Sequence, residues 1–95
     1  MGTEIHITAM EPEHFGVQVT EGDLTTSHRV IVRDGALDDL GVGGADGERV
    51  VRETFEFLLE REPASAILPD FAVEDVARFF AEFPEELAVR LSSGV

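Results

Sequence analysis

From residue 4 to residue 33, apolar and polar positions alternate along the chain. In EIHITAM, Ile5, Ile7 and Ala9 fall on one side, with Glu4, His6 and Thr8 on the other. HFGVQVT repeats the scheme through Phe15, Val17 and Val19. SHRVIVR does so through His28, Val30 and Val32, with Arg29, Ile31 and Arg33 opposite. A period of two over such lengths predicts strands buried on one face only. Residues 11–14 and 21–26 are short enough to connect them as hairpins, the second turning at Gly22-Asp23. The reading is a three-stranded antiparallel meander with one covered face and one wet face.

The period changes at Asp34. DGALDDLG reads as one helical turn capped by Asp34, with Leu37 and Leu40 inward and Gly41 as the stop. Residues 41–47, GVGGADG, read as a flexible elbow. Asp46 then caps a long helix in which Val50, Val51, Thr54, Phe55, Leu58 and Leu59 form an apolar stripe. Outside that stripe, Glu48–Arg52, Arg49–Glu53 and Arg52–Glu56 are spaced to pair at i,i+4. Pro63 lacks an N–H and cannot extend this helix, but it can start another. PASAIL therefore reads as a short helix ended by Pro69. AVEDVARFFAEF follows as a helix with Val73, Val76, Ala77, Phe80 and Phe83 on one side. Pro84 opens a last helix that buries Leu87 and Leu91.

The predicted fold is a single α+β domain over residues 1–95. Its meander occupies 1–33 and its helical part 34–95, with the helices packed on one face of the sheet. The expected core contains Ile5, Ile7, Phe15, Val17, Val30, Val32, Val51, Phe55, Leu58, Leu59, Ile67, Leu68, Val76 and Phe80.

Composition narrows the chemistry. The 95 residues carry 20 carboxylates against 7 cations, for a net charge of −13, and contain no cysteine. Disulfides, thiolate nucleophiles and cysteine-based zinc sites are therefore excluded. So acidic a field repels phosphate backbones and disfavours nucleic acid, leaving basic or apolar partners. No run approaches the roughly 20 apolar residues that span a bilayer. The first residues have no basic n-region, and Gly2 is followed by His6 where a myristoylation signal needs Ser or Thr. The expected compartment is the cytoplasm.

Each candidate for chemistry competes with a plainer reading. The glycine-rich stretch before the long helix resembles a phosphate cradle, but Asp46 stands where the dinucleotide fingerprint needs glycine, and the chain has no lysine. His6 and His14 fall on the wet face of neighbouring strands, within reach of one ion together with Glu4 or Glu13. His28 points the other way. Ser27 and His28 are adjacent in a strand, so they face opposite sides and cannot work as nucleophile and base. Asp38-Asp39, Glu60/Glu62 and Glu85-Glu86 match no calcium loop and read as a solvated acidic surface.

Residues 51–87 resemble a family of small bacterial proteins to which no activity is attached. Phe55, Phe57, Leu58, Leu59, Glu60, Arg61, Glu62, Pro63, Ile67, Leu68, Phe71, Phe79 and Phe80 carry the resemblance. It implies one small domain and no site. HFGVQV followed by DGERVVRETFEFLLER is also similar, more weakly, to HicB-type antitoxins, which place a small antiparallel sheet before a helix. The loop rich in proline and glycine after the second strand of those antitoxins, and any DNA-binding module, are missing.

The functional expectation is a non-catalytic acidic interaction module without cofactor, able to form a homodimer. The alternative is a small metal- or ligand-binding protein using His6 and His14.

Overall fold

The computed structural model of the chain describes residues 3–11 and 13–93. Gly2 of the myristoylation pattern and Pro12, within the first expected hairpin connection, lie outside them. The fold is α+β, with the three antiparallel strands first. Strands β1 (Thr3–Glu11), β2 (His14–Glu21) and β3 (Leu24–Ile31) form the meander in that order. The second hairpin is tighter than the alternation suggests: Glu21 pairs with Leu24 across Gly22 and Asp23. Gly22 takes φ 60°, a positive value that only glycine adopts cheaply, at the first central position of a two-residue hairpin loop.

A fourth strand completes the sheet. β4 (Asp70–Ala72) lies parallel to β3, pairing Arg29 with Asp70, Val30 with Phe71 and Ile31 with Ala72. It falls inside the segment expected to be wholly helical. Three residues behind a proline show no period, so nothing local announces a strand. Its support comes from β3. The Arg29 N–H donates to the Pro69 carbonyl at 2.7 Å, and His28 Nδ1 donates to the Leu68 carbonyl at 2.9 Å.

Helix α1 (Ala36–Asp39) is the expected single turn, but its cap is Gly35, not Asp34. The Asp34 N–H instead donates to Glu13 Oε2 at 2.9 Å. Beyond α1 the elbow is ordered by backbone bonds. The Gly41 N–H reaches the Asp38 carbonyl and the Val42 N–H the Leu37 carbonyl, with Gly41 at φ 81°, which is a Schellman ending. Val42 is buried. The stretch is a fixed corner.

Helix α2 (Gly47–Leu59) starts as its sequence asks, with the Asp46 carboxylate accepting from the Arg49 N–H at 3.1 Å. It buries two stripes. Val51, Phe55 and Leu58 belong to the expected stripe, and the Phe55 ring lies 5.3 Å from His28 and 5.8 Å from Phe71. Val50, Thr54 and Phe57 recur at i, i+4, i+7 and are also fully buried. Phe57 packs on Phe83, 5.1 Å between centroids, at the start of helix α4 (Phe83–Ser93). So Phe57 is core, and Leu59, expected there, is only half-buried. The buried Thr54 hydroxyl is satisfied by the Val50 carbonyl at 2.7 Å.

Arg52 and Arg49 do not spend their donors on the expected i,i+4 pairs. They donate to the carbonyls of Ile5 (3.1 Å) and Arg90 (3.2 Å), tying α2 to β1 and to α4. Arg90 Nη2 in turn meets Glu60 at 2.7 Å. That contact, above all, holds the Glu60 carboxyl below its ordinary range, with Arg61 adding a smaller attraction. Among the described residues no helix is long and apolar enough to cross a membrane.

Between α2 and α4 the helices are shorter than expected. PASAIL contains only a 3₁₀ turn, Ala64–Ala66, with Pro63 as its cap. AVEDVARFFAEF resolves into β4's last residue, a second 3₁₀ turn (Val73–Asp75) and a single turn of helix, α3 (Val76–Phe79). Phe80 breaks it with φ −130° and ψ 98°. Leu68, placed in the expected core, is 52% exposed, and Phe79 is 70% exposed. Ile5, Ile7, Leu59 and Phe80 are half-buried; apart from these and Leu68, the expected core residues are buried.

Candidate functional site

Pro63 ends α2, so the chain doubles back through the Ala64–Ala66 turn and runs into β4. The Asp75 carboxylate then accepts the Ala72 N–H at 3.3 Å and turns the chain into α3. These two corners leave an apolar groove of about 260 Å³ between the end of α2, β4 and α3. Leu58, Ile67 and Phe71 line its floor, and Val76, Phe79 and Phe80 its α3 wall. Glu62 and Asp75 are its only charged lining residues, and both are anionic.

Phe79 and Phe80 explain why the groove stays open. One helical turn cannot bury adjacent side chains on the same face. Phe80 turns in to meet the Phe57 ring edge-on at 5.6 Å, which leaves Phe79 in solvent. Arg61, the nearest cation in sequence to Glu62, faces away: its guanidinium lies 3.6 Å from the Phe57 ring centroid and reaches Glu82 at 3.4 Å. Arg78 is 3.9 Å from Asp75 Oδ1, at the limit of an ion pair. Such a groove can hold an apolar side chain and attract a cation beside it. Its lining offers no hydroxyl, imidazole or amine to act as a nucleophile.

The residues singled out by sequence lie elsewhere. His6 and His14 do share the outer face of the sheet, but the register sets His6 opposite Gln18, four residues along β2 from His14. Four residues of strand are roughly 13 Å, too far to share one ion. His14 Nδ1 lies 3.3 Å from Glu11, while Glu13 is taken by Asp34 and Glu4 stands opposite Thr20. Among the described residues no three metal-ligating side chains are gathered.

His28 is buried on the inner face. A carbonyl can only accept, so Nδ1 carries the proton given to Leu68, and Nε2 lies 2.8 Å from the Thr26 hydroxyl, within hydrogen-bond distance. The imidazole is a fastener for the chain entering β4. Ser27 faces the other way and is exposed. In the glycine-rich corner the Asp38 carboxylate packs against Gly43 and the Asp46 carboxylate occupies the helix start, so no phosphate cradle forms.

Sequence reading missed Glu62, Asp75 and Phe79 as a set. The signal was present in Phe79-Phe80, since two adjacent aromatics in a short helix cannot both be core. Comparison with known proteins adds no relative: no family model, curated protein or solved structure matches the chain.

Proposed function

We propose that the protein is a non-catalytic acidic interaction module, and that it seats an apolar side chain of a basic protein segment in the groove between α2, β4 and α3. One observation carries this reading. Phe79 and Leu68 are the exposed apolar lips of a groove whose only charges are the carboxylates of Glu62 and Asp75. An apolar anchor in a pocket supplies affinity, and complementary charge beside it supplies rate and orientation. The net charge of −13 draws cationic partners to the surface and repels phosphate backbones. A cytoplasmic setting suits a chain without cysteine. The histidine-based metal reading is the weaker one, because the register separates His6 from His14.

The test is fluorescence anisotropy with two labelled amphipathic helical peptides of equal apolar content, one rich in arginine and one in glutamate. The arginine peptide binds and weakens with salt, whereas the glutamate peptide does not bind. Phe79→Ser, at an exposed position, raises the dissociation constant at least tenfold without changing the melting temperature. Equal binding of the two peptides, or indifference to Phe79→Ser, sinks the reading.

A further inference from the structure

The sheet has one long edge with no strand beside it. β1 occupies the end of the order β1-β2-β3-β4 and, among the described residues, pairs only with β2. Which of its backbone groups face outward follows from the register. The Arg29 N–H points to β4, bonding Pro69, so its neighbours Thr26, His28 and Val30 point to β2. Their partners Val19, Val17 and Phe15 therefore point to β3, and Gly16, Gln18 and Thr20 to β1. Thr8, His6 and Glu4 answer them. The outward N–H and C=O groups are then those of Thr3, Ile5, Ile7 and Ala9. Arg52 supports this independently, because its guanidinium reaches the Ile5 carbonyl at 3.1 Å.

This edge has few of the usual protections. Edge strands commonly resist pairing by being short, by bulging, or by placing charge or proline on the exposed rim. β1 has one such device, a register shift between Ala9 and Glu11 at its end. β1 runs nine residues, and Ile5 to Met10 contain no Asp, Glu, Arg or Pro in a chain with 27 Asp, Glu and Arg residues, 20 of them acidic. The inward side chains beside the edge are also incompletely covered: Ile5 and Ile7 are half-buried, and Ala9 is exposed. The opposite edge, β4, is only three residues long.

The geometry points to a second copy of this chain as the strand that completes β1, in a two-fold antiparallel pairing centred on Ile7. In that register Ile7 faces its own copy and Ile5 faces Ala9, and all three have outward N–H and C=O groups, as hydrogen-bonded pairs require. Glu4 falls opposite Met10, and His6 opposite Thr8. No carboxylate meets another, and Ile5, Ile7 and Ala9 of both copies join into one apolar stripe on the helical side. A basic peptide finds no carboxylate between Ile5 and Met10, so the edge itself matches a like strand better than a cationic one. Pairing through one edge about a two-fold axis is closed and stops at the dimer. Arg52 approaches from the helical side, and the second lone pair of the Ile5 carbonyl serves the new strand.

The net charge sets the salt dependence. Two copies at −13 repel, so screening tightens the dimer, whereas salt weakens the binding of a basic partner. Sedimentation over a concentration series in 0.02 to 1 M potassium chloride, with amide exchange by NMR, tests the pairing. We expect a dimer that tightens with salt, in which the Ile5, Ile7 and Ala9 amides gain protection as concentration rises. Ala9→Pro removes one outward N–H at an exposed position and weakens the dimer at least tenfold. Amide shifts of β2 and β3 that stay unchanged verify that the variant is folded. Three outcomes overturn the inference: a monomer at millimolar concentration in 1 M salt, a dimer in which those three amides still exchange freely, or a dimer indifferent to Ala9→Pro.

Discussion

Strands β1 and β3 read almost alike, yet the molecule treats them differently. Each alternates with a period of two, and each directs β-branched residues inward. In β3, Val30 is completely buried and His28 nearly so, whereas Ile5 and Ile7 of β1 are half-buried and Ala9 is exposed. The cause lies above the sheet. α2 sets Phe55 against His28 of β3 and Phe71 of β4, while Ile5 and Ile7 of β1 pack only at the margin of the core, where Arg52 of α2 donates to the Ile5 carbonyl. Alternation fixes which way a side chain faces. Coverage depends on where a later helix crosses, and that is written elsewhere in the chain.

The largest expected effect is on the β3 side. Phe55→Ala removes a fully buried ring that touches both β3 and β4 and should cost about 3–5 kcal/mol, a large share of a typical stability of roughly 5–15 kcal/mol. Chemical denaturation reads it as a lower midpoint. Ile7→Ala, on β1, should cost roughly 1–2 kcal/mol, because a half-buried side chain loses only part of its transfer free energy and leaves little cavity. Equal midpoint shifts for the two variants would erase the contrast between the strands. If the dimer forms, Ile7→Ala becomes costlier as protein concentration rises, whereas Phe55→Ala does not.

The same contrast explains what was legible in the sequence. The three strands, the Asp46 cap, the Gly41 stop and the break at Pro63 are local statements, in which a period, a side-chain acceptor or a missing N–H decides the outcome within a few residues. The burial of Phe57 was not legible, because a single-stripe reading of α2 assumes one partner and α4 supplies a second from the far end of the chain. β4 depends on bonds from Arg29 and His28 across some forty residues. Leu68 is apolar and follows a buried Ile67, yet its backbone carbonyl is what the fold uses, and its side chain is left at the lip of the groove. The site was illegible for the same reason. It is a gap between elements, with no motif of its own.

The smallest effect concerns the exposed ion pair that joins the C-cap of α2 to α4. Arg90 Nη2 lies 2.7 Å from Glu60, and this hydrogen bond, ahead of the opposing cost of burial, lowers the Glu60 pKa. A carboxyl whose folded pKa is depressed contributes stability above its unfolded value, about 4.3, and loses it as pH falls through the lower folded value. The Glu60 side chain is 57% exposed, so solvent screening limits the contribution to less than about 1 kcal/mol. Glu60→Gln should therefore melt slightly below the parent chain at pH 7. The gap should close as pH falls below the ordinary carboxylate range, where the parent's Glu60 also becomes neutral. A gap of the same size at pH 3 would show that the charge of Glu60 is not what Arg90 uses. Combined with Ile7→Ala, the effect should add within about 0.5 kcal/mol, since Glu60 follows the C-terminal end of α2 and Ile7 sits on the edge strand β1. A larger coupling would mean that the position of α4 governs how far the helical layer covers β1, and the two strands would then differ by a movable cover.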